Sequence, residues 1–237
     1  MHTPAQLPPN QFLQSLSIGD FELLRPHLKT VKLEHAAVLF DIGGVIERLF
    51  FPHDGVVSLV VGLASGDMIE AGMIGHDGVV GTPAALDGSI ATNRAIVQIP
   101  GMGSAIDTQH MRAAVVTSKS LRMKLYQHDQ ILLVQAQQSA ACNAKHQIEE
   151  RLCRWLLRTR DLVQSDNIEL TQEFLAQMLG VRRTSVTLAA RHLQAAHLIK
   201  YRRGHIHILD AEGLQDSSCE CYEAVNSQVT RLRGHQT

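Results

Sequence analysis

The chain has 237 residues, 45% hydrophobic and 19% charged, with a formal net charge of −1. That is enough for one large domain or two modest ones with an ordinary buried core. There is no uninterrupted apolar stretch of about 18 residues or more, so no membrane-spanning helix is expected. The first ten residues are polar, hold three prolines and lack the basic start and apolar run of a signal peptide, so a cytoplasmic location is expected. The near-neutral total conceals an asymmetry. Residues 1–110 hold five Lys/Arg against eleven Asp/Glu, whereas residues 171–207 hold six Lys/Arg against Glu173 alone. An acidic body with one basic segment points to a polyanion met by that segment only.

In chain order, residues 12–28 carry Phe12, Leu13, Leu16, Ile18, Phe21, Leu23, Leu24 and Leu28 at spacings that predict one or two short helices. Residues 29–107 change character. Short β-branched runs, such as Val56–Val61 and Arg94–Ile99, are punctuated by glycines and prolines at short intervals. Many short strands with turns between them predict an antiparallel sandwich or barrel. A parallel sheet needs helical crossovers of about a dozen residues, and none fits between these glycines.

From Thr108 to Val163 there is no glycine or proline. This predicts at least one long helix, with breaks near Thr117–Ser120 and Ala144–Gln147. Leu121, Leu125, His128, Leu132, Gln135, Ser139 and Cys142 follow alternating steps of four and three, the spacing of a seam against a partner helix. Ile148, Leu152, Trp155, Leu156 and Val163 predict a second amphipathic helix, ended by the turn-rich Gln164–Asn167. A last helix is expected over roughly Ala211–Arg231, with Leu214, Cys221, Val225 and Leu232 on its apolar face and a frayed tail after it.

The four cysteines, Cys142, Cys153, Cys219 and Cys221, lie in the second half. A disulfide framework is not expected at this size in a cytosolic chain. Cys219 and Cys221 could supply two ligands to a zinc or iron–sulfur site, which needs four, or three and an opening. They are read as free thiols and no metal ligand is assigned.

The segment Leu170–Leu193 carries the main signal. Thr171 can cap a first helix, and Glu173 suits its first turn. Leu175 and Leu179 face inward, Ala176 is small where a second helix passes close, and Gly180 can take the positive φ that ends a helix sharply. Val181 plugs the corner and Val186 points back into it. Arg182, Arg183, Thr184, Ser185, Thr187 and Arg191 then form the outward face of the second helix. In helix-turn-helix proteins that face enters the major groove of double-stranded DNA. Arg183 is the candidate base contact, and Arg182 and Arg191 are candidate phosphate contacts. Leu198–Leu209 alternates polar and apolar residues around a Gly-containing turn, a hairpin with Lys200, Arg202, Arg203 and His205 at its tip. These would meet phosphates as a wing.

A glycine-rich β-roll, a long helix and a winged helix in this order resemble the Crp–Fnr family of bacterial transcription regulators over nearly the whole chain. The likeness is strongest at 170–209. Earlier, it rests on Phe40-Asp41-Ile42-Gly43-Gly44 and Gly55-Val56-Val57-Ser58-Leu59. The implied fold class is α+β: an N-terminal antiparallel β-roll or jelly roll (a double-stranded β-helix), a long dimerisation helix and a C-terminal winged helix-turn-helix. The expected boundaries are 1–117 for a cyclic-nucleotide-binding-like sensor, 118–146 for the dimerisation helix and 147–237 for the DNA-binding domain. The resemblance further implies a homodimer through residues 121–142, a palindromic operator, a signal at the β-roll and contact with RNA polymerase.

In family members that bind cyclic nucleotides, a Gly-Glu-Leu followed later by Arg and a small residue holds the ligand, Glu on the ribose and Arg on the phosphate. The best match here is Gly81-Thr82, then Arg94-Ala95. Gly81 and Arg94 fit, Thr82 stands where Glu is needed, and the intervening loop is longer. An alternative frame, Gly75-His76-Asp77-Gly78, offers an acid at poorer spacing. Three readings stay open: cyclic AMP, another small anionic nucleotide-like effector, or no ligand. The iron–sulfur branch of the family needs N-terminal cysteines, and the first here is Cys142, so an iron–sulfur cluster is not expected. A heme version would need an axial histidine, for which His53, His76, His110 and His128 are available.

Two other classes of function compete. The β-roll could be a cupin-like metal-dependent barrel enzyme, although the only His-x-His, His205-Ile206-His207, lies in the wing. Or the chain could be a ligand-sensing unit acting through protein contacts. The expectation is a regulator and not an enzyme.

Overall fold

The computed structural model describes residues 7–86, 88 and 90–234. The chain forms two compact bodies. The first joins the N-terminal residues up to Ser58 with Ile74–Gln130, and the second joins Leu59–Met73 with the residues from Ile131 onward.

The first body opens with two short helices, α1 (Gln11–Gln14) and α2 (Ile18–Leu24), each capped by a side chain: Asn10 accepts from Leu13 N and Ser17 from Asp20 N. Strands β1 (Lys29–Leu33), β2 (Val38–Phe40) and β3 (Arg48–Pro52) follow, then β4 (Val56–Gly62) and β5 (Met68–Ile74), which run out into the second body as a hairpin. After the short α3 (Thr82–Ala85) come β6 (Arg94–Ile99) and β7 (Gly101–Asp107). One sheet has the order β1-β7-β3 and is antiparallel throughout, with Ala105 opposite Lys29 on one side and Phe50 on the other. The other has the order β2-β6-β4-β5. Among the described residues only the four-residue α3, between β5 and β6, interrupts the succession of strands from β1 to β7.

The stretch free of glycine and proline after β7 forms α4 (Thr108–Thr117), α5 (Lys119–Lys145) and α6 (Ile148–Val163), broken at Ser118 and at His146–Gln147, within the two predicted break regions. Gln147 and Glu150 close a capping box at the start of α6. The seam on α5 requires correction. Leu121 and Leu125 are fully buried in one apolar cluster with Phe12, Phe21, Leu24, Phe51 and Met111. The His128 ring nitrogen Nε2 lies 2.9 Å from the Val79 carbonyl oxygen, and Gln135 accepts from Met73 N. These residues therefore face their own chain. Heptad spacing marks a buried face without saying what buries it. The opposite stripe, Met123, Tyr126, Gln130, Leu133, Gln137, Ala140 and Ala144, repeats the same steps and is exposed throughout.

In the second body, β8 (Asn167–Glu169) leads into α7 (Gln172–Leu179) and α8 (Arg183–Ala195), and then β9 (Ile199–Arg202) and β10 (His205–Ile208). Strands β8, β10 and β9 form one antiparallel sheet in that order. Only the β9–β10 hairpin is legible in the sequence, because a three-residue strand carries no period. The expected last helix is two: α9 (Ala211–Asp216) and α10 (Cys221–Gly234). Ser217 N bonds back to Gly213 O and Tyr222 N to Cys219 O, so the chain turns at Ser217–Glu220 and buries Cys219 there. The expectation of a frayed tail falls in part on residues 235–237, outside the described residues. No helix among the described residues is long and apolar enough to cross a membrane.

Candidate nucleic-acid interface

The corner between α7 and α8 is built as its sequence requires. Thr171 caps α7 by accepting from Phe174 N. Gly180 ends it at φ +62, with its N–H bonded to Gln177 O. A side chain there would be strained at that φ, and its Cβ would also approach Ile69 Cδ1 of the β4–β5 hairpin at 3.1 Å. Leu175, Ala176, Leu179, Val186, Ala189, Ala190 and Leu193 are buried and lock the two helices together. Arg151, buried on α6, donates to the carbonyl of Leu179 and so satisfies the end of α7.

Fixing the inward face decides the outward one. Arg182, Arg183, Thr184 and Arg191 are exposed, and Ser185 and Thr187 are half-buried. Arg183 stands at the first position of α8, 3.7 Å from Glu173, and both side chains are largely in water. Such a pair is worth well under ~1 kcal/mol and leaves the guanidinium available to another partner. Thr187 is less available: its hydroxyl lies 2.8 Å from Gln172 Oε1 and 3.0 Å from Arg183 O. Leu188 is a residue that sequence reasoning misses. It is 56% exposed on α8, one turn from both Thr184 and Arg191, where a buried leucine would be expected. An apolar side chain on that face suits a thymine methyl. The available signal is the 184-188-191 spacing, which puts Leu188 on the polar stripe.

The wing is a two-residue hairpin. Arg203 at φ +50 and Gly204 at φ +83 are both left-handed, as a turn matched to strand twist demands. Leu170 N donates to Gly204 O at 2.6 Å, and the Tyr201 hydroxyl donates to Leu170 O at 3.0 Å, tying the wing to the residue before α7. Burial pushes the Tyr201 hydroxyl up to about 12, so it stays a neutral donor. Lys200, Arg202, Arg203 and His205 are exposed. Corner and wing belong to one body and bring their arginines and Lys200 onto its surface together.

The predicted ligand residues are placed differently. Gly81 precedes α3 at φ +94, and Thr82 is fully buried. The Thr82 hydroxyl lies 3.4 Å from Val79 O and also hydrogen-bonds the Asp129 carboxyl. Ala95 is buried opposite Phe40. Arg94 donates from Nε and Nη2 to the two oxygens of Asp41 at 2.9 and 2.6 Å. The hydrogen bonds hold the Asp41 carboxyl below its usual range and raise the guanidinium. A buried threonine does not replace a ribose-binding glutamate, and Arg94 already has a carboxylate partner. Of the histidines, His53 Nε2 bonds Ser104 Oγ at 2.9 Å, His76 lies against Gln11, and the rings of His27 and His110 stack at 3.9 Å.

Burial also raises Asp129, to about 6. Its folded pKa lies above the unfolded value, so the folded state binds the extra proton between about pH 4 and 6 and loses stability as pH rises through that window. Asp129→Asn is therefore expected to be more stable than the parent chain at pH 8, by about 1–2 kcal/mol after allowing for partial exposure to water. The gain should vanish near pH 4. Urea melts at the two pH values measure it, and an equal difference at both would remove the assignment.

Residues 150–217 match the family model of the Crp-like helix-turn-helix domain. Among solved structures, FixK2 from Bradyrhizobium japonicum is similar at 15% identity and TM-score 0.70, covering 81% of this chain and 98% of that one. The c-di-GMP responsive global regulator CLP of Xanthomonas campestris is similar at 16% identity and TM-score 0.66, with coverage of 81% and 99%. TTHA1359, a transcriptional regulator of the CRP/FNR family from Thermus thermophilus, is similar at 20% identity and TM-score 0.65, with coverage of 80% and 98%. These likenesses establish a shared fold. Searched against curated proteins, the chain finds no significant match.

Proposed function

We propose that this chain, a Crp/Fnr-type transcription regulator with a helix-turn-helix DNA-binding domain, acts as a homodimer that reads a palindromic operator with one basic head per subunit. The observation that carries this reading is the exposed polar face of α8 beside a wing of the same charge, in one body. Arg183 is assigned a base edge, with Thr184, Ser185 and Thr187 around it and Leu188 on a thymine methyl. Arg182, Arg191, Lys200, Arg202 and Arg203 are assigned phosphates.

The dimer contact is assigned to the outward stripe of α5, where Met123, Tyr126 and Leu133 leave 55%, 47% and 56% of their surface in water. Large apolar side chains at heptad steps on an exposed helix face support a partner helix. Residues 1–117 are then the input, 118–146 the coupling helix and 147–237 the output. The hairpin of β4 and β5 reaches the corner at Gly180 and offers a route for a signal. If a small anion is that signal, its phosphate has to exchange with Asp41 on Arg94. A cytoplasmic site of action and contact with RNA polymerase complete the reading.

Selection of genomic fragments by the purified protein tests it. The expected product is a two-fold motif with half-sites about 34–36 Å apart, one helical turn. Leu133→Glu should shift the chain to a monomer in sedimentation, weaken operator binding and abolish the concentration dependence of the melting point. An asymmetric single site bound by a monomer would refute the dimer.

A further inference from the structure

We propose that Cys142, His146, Cys219 and Cys221 bind a single zinc ion that staples the turn before α10 to the end of α5. The four ligand atoms lie within 4.8 Å of one another, in one body of the chain. Cys142 Sγ and Cys219 Sγ are 3.5 Å apart, and Cys221 Sγ is 3.5 Å from His146 Nδ1. A tetrahedral Zn²⁺ with bonds of about 2.3 Å to sulfur and 2.0–2.1 Å to nitrogen needs ligand–ligand edges of about 3.6–3.8 Å. The cluster is near that size before any ion draws it in. It is also too tight for thiolates spread around several irons, so a mononuclear site fits and a polynuclear cluster does not.

The fold explains how the ligands meet. Cys142 and His146 are four residues apart, one helical turn, and His146 N still bonds Cys142 O at 2.9 Å. The break between α9 and α10 brings Cys219 and Cys221 down onto them. All three cysteines are buried, and the His146 side chain is only 16% exposed.

The surroundings are those of a ligand set. His146 Nε2 lies 3.2 Å from Glu220 Oε2. That carboxylate accepts the Nε2–H and leaves Nδ1, the nitrogen beside Cys221, with its lone pair free for a metal. Gln138 Nε2 donates to Cys221 Sγ at 3.0 Å, as to a thiolate. Three thiolates and Zn²⁺ leave one negative charge. On α6, Nε of both Arg151 and Arg154 is buried and has no hydrogen-bond partner among the described residues. The closed, four-ligand arrangement makes the ion structural, and binding releases the three thiol protons to water. None of the four ligands lies on α8 or the wing.

The test uses the untagged full-length chain, purified under reducing conditions. Elemental analysis should find about one zinc per chain, and Co²⁺ added to chelator-stripped protein should give thiolate-to-cobalt charge transfer and the intense visible bands of a tetrahedral site. Cys142→Ser and Cys219→Ser should each lower retained zinc at least tenfold. Glu220→Gln, which spares every ligand, should weaken zinc binding about 10–100-fold. Should the serine variants misfold, the cobalt spectrum of the unsubstituted chain still decides. A reduced chain that binds neither ion, or a cobalt spectrum without thiolate bands, overturns the proposal. So does an unaltered zinc affinity in the Cys219→Ser variant.

Discussion

Arg183→Ala is expected to cut affinity for the cognate operator far more than affinity for random duplex DNA. A bidentate arginine–guanine contact contributes about 1–3 kcal/mol of discrimination against a wrong base, and a dimer would lose it at two half-sites, roughly 2–6 kcal/mol in total. Geometry sets this expectation. Val186 and Ala190 are locked inside the corner, which turns Arg183 outward at the first position of α8, where recognition helices meet base edges. Its charged neighbour Glu173, at 3.7 Å, is too exposed to hold it. Arg191→Ala is the companion measurement. As a phosphate contact it should weaken specific and random DNA alike and lower the salt slope by about one. Fluorescence anisotropy on both DNAs at several salt concentrations measures these quantities for both variants. Equal losses on the two DNAs for Arg183→Ala would remove its base-reading role.

Trp155→Ala should lower the stability of the second body by about 3–5 kcal/mol, the usual cost of deleting a buried aromatic residue. Trp155 is the chain's single tryptophan, is 1% exposed on α6, and is flanked by the fully buried Leu152 and Leu156. Its indole N–H also donates to Glu70 Oε1 at 3.1 Å, so the side chain holds the β4–β5 hairpin as well as the helix core. Against a total stability of about 5–15 kcal/mol, the substitution should bring the body close to unfolding at room temperature. Trp155→Phe keeps most of the apolar volume, drops the hydrogen bond and should cost no more than about 2 kcal/mol. Urea denaturation followed by circular dichroism separates the two. A loss below about 1 kcal/mol for Trp155→Ala would mean that the indole is not the anchor of this core.

Local devices are readable from the residues alone. Thr171 as a cap, Gly180 as a left-handed helix end and the turn at Arg203-Gly204 depend on a few neighbouring residues. So does the succession of short strands between closely spaced glycines. The outward face of α8 is also legible, since Val186, Ala189 and Ala190 account for the inward one. Leu188 escapes because an apolar residue is assigned inward by default. The split of the last helix escapes because Ser217–Glu220 contains neither glycine nor proline, and the turn is held by backbone bonds and by burial of Cys219.

The sequence by itself determined where most elements begin and end, which segment is basic and which residues a helix-turn-helix corner needs. These are matters of backbone propensity, hydrophobic period and local capping, all short in range. What covers each face was decided only by the tertiary structure, because partners far apart in the chain leave no mark on the period. Leu121, Leu125, His128, Gln135 and Cys142 of α5 turned inward and left Met123, Tyr126 and Leu133 outside. Arg94 met Asp41, 53 residues away. Cys142 met Cys219, 77 residues away, and the ligand atoms of Cys142, His146, Cys219 and Cys221 came within 4.8 Å of one another.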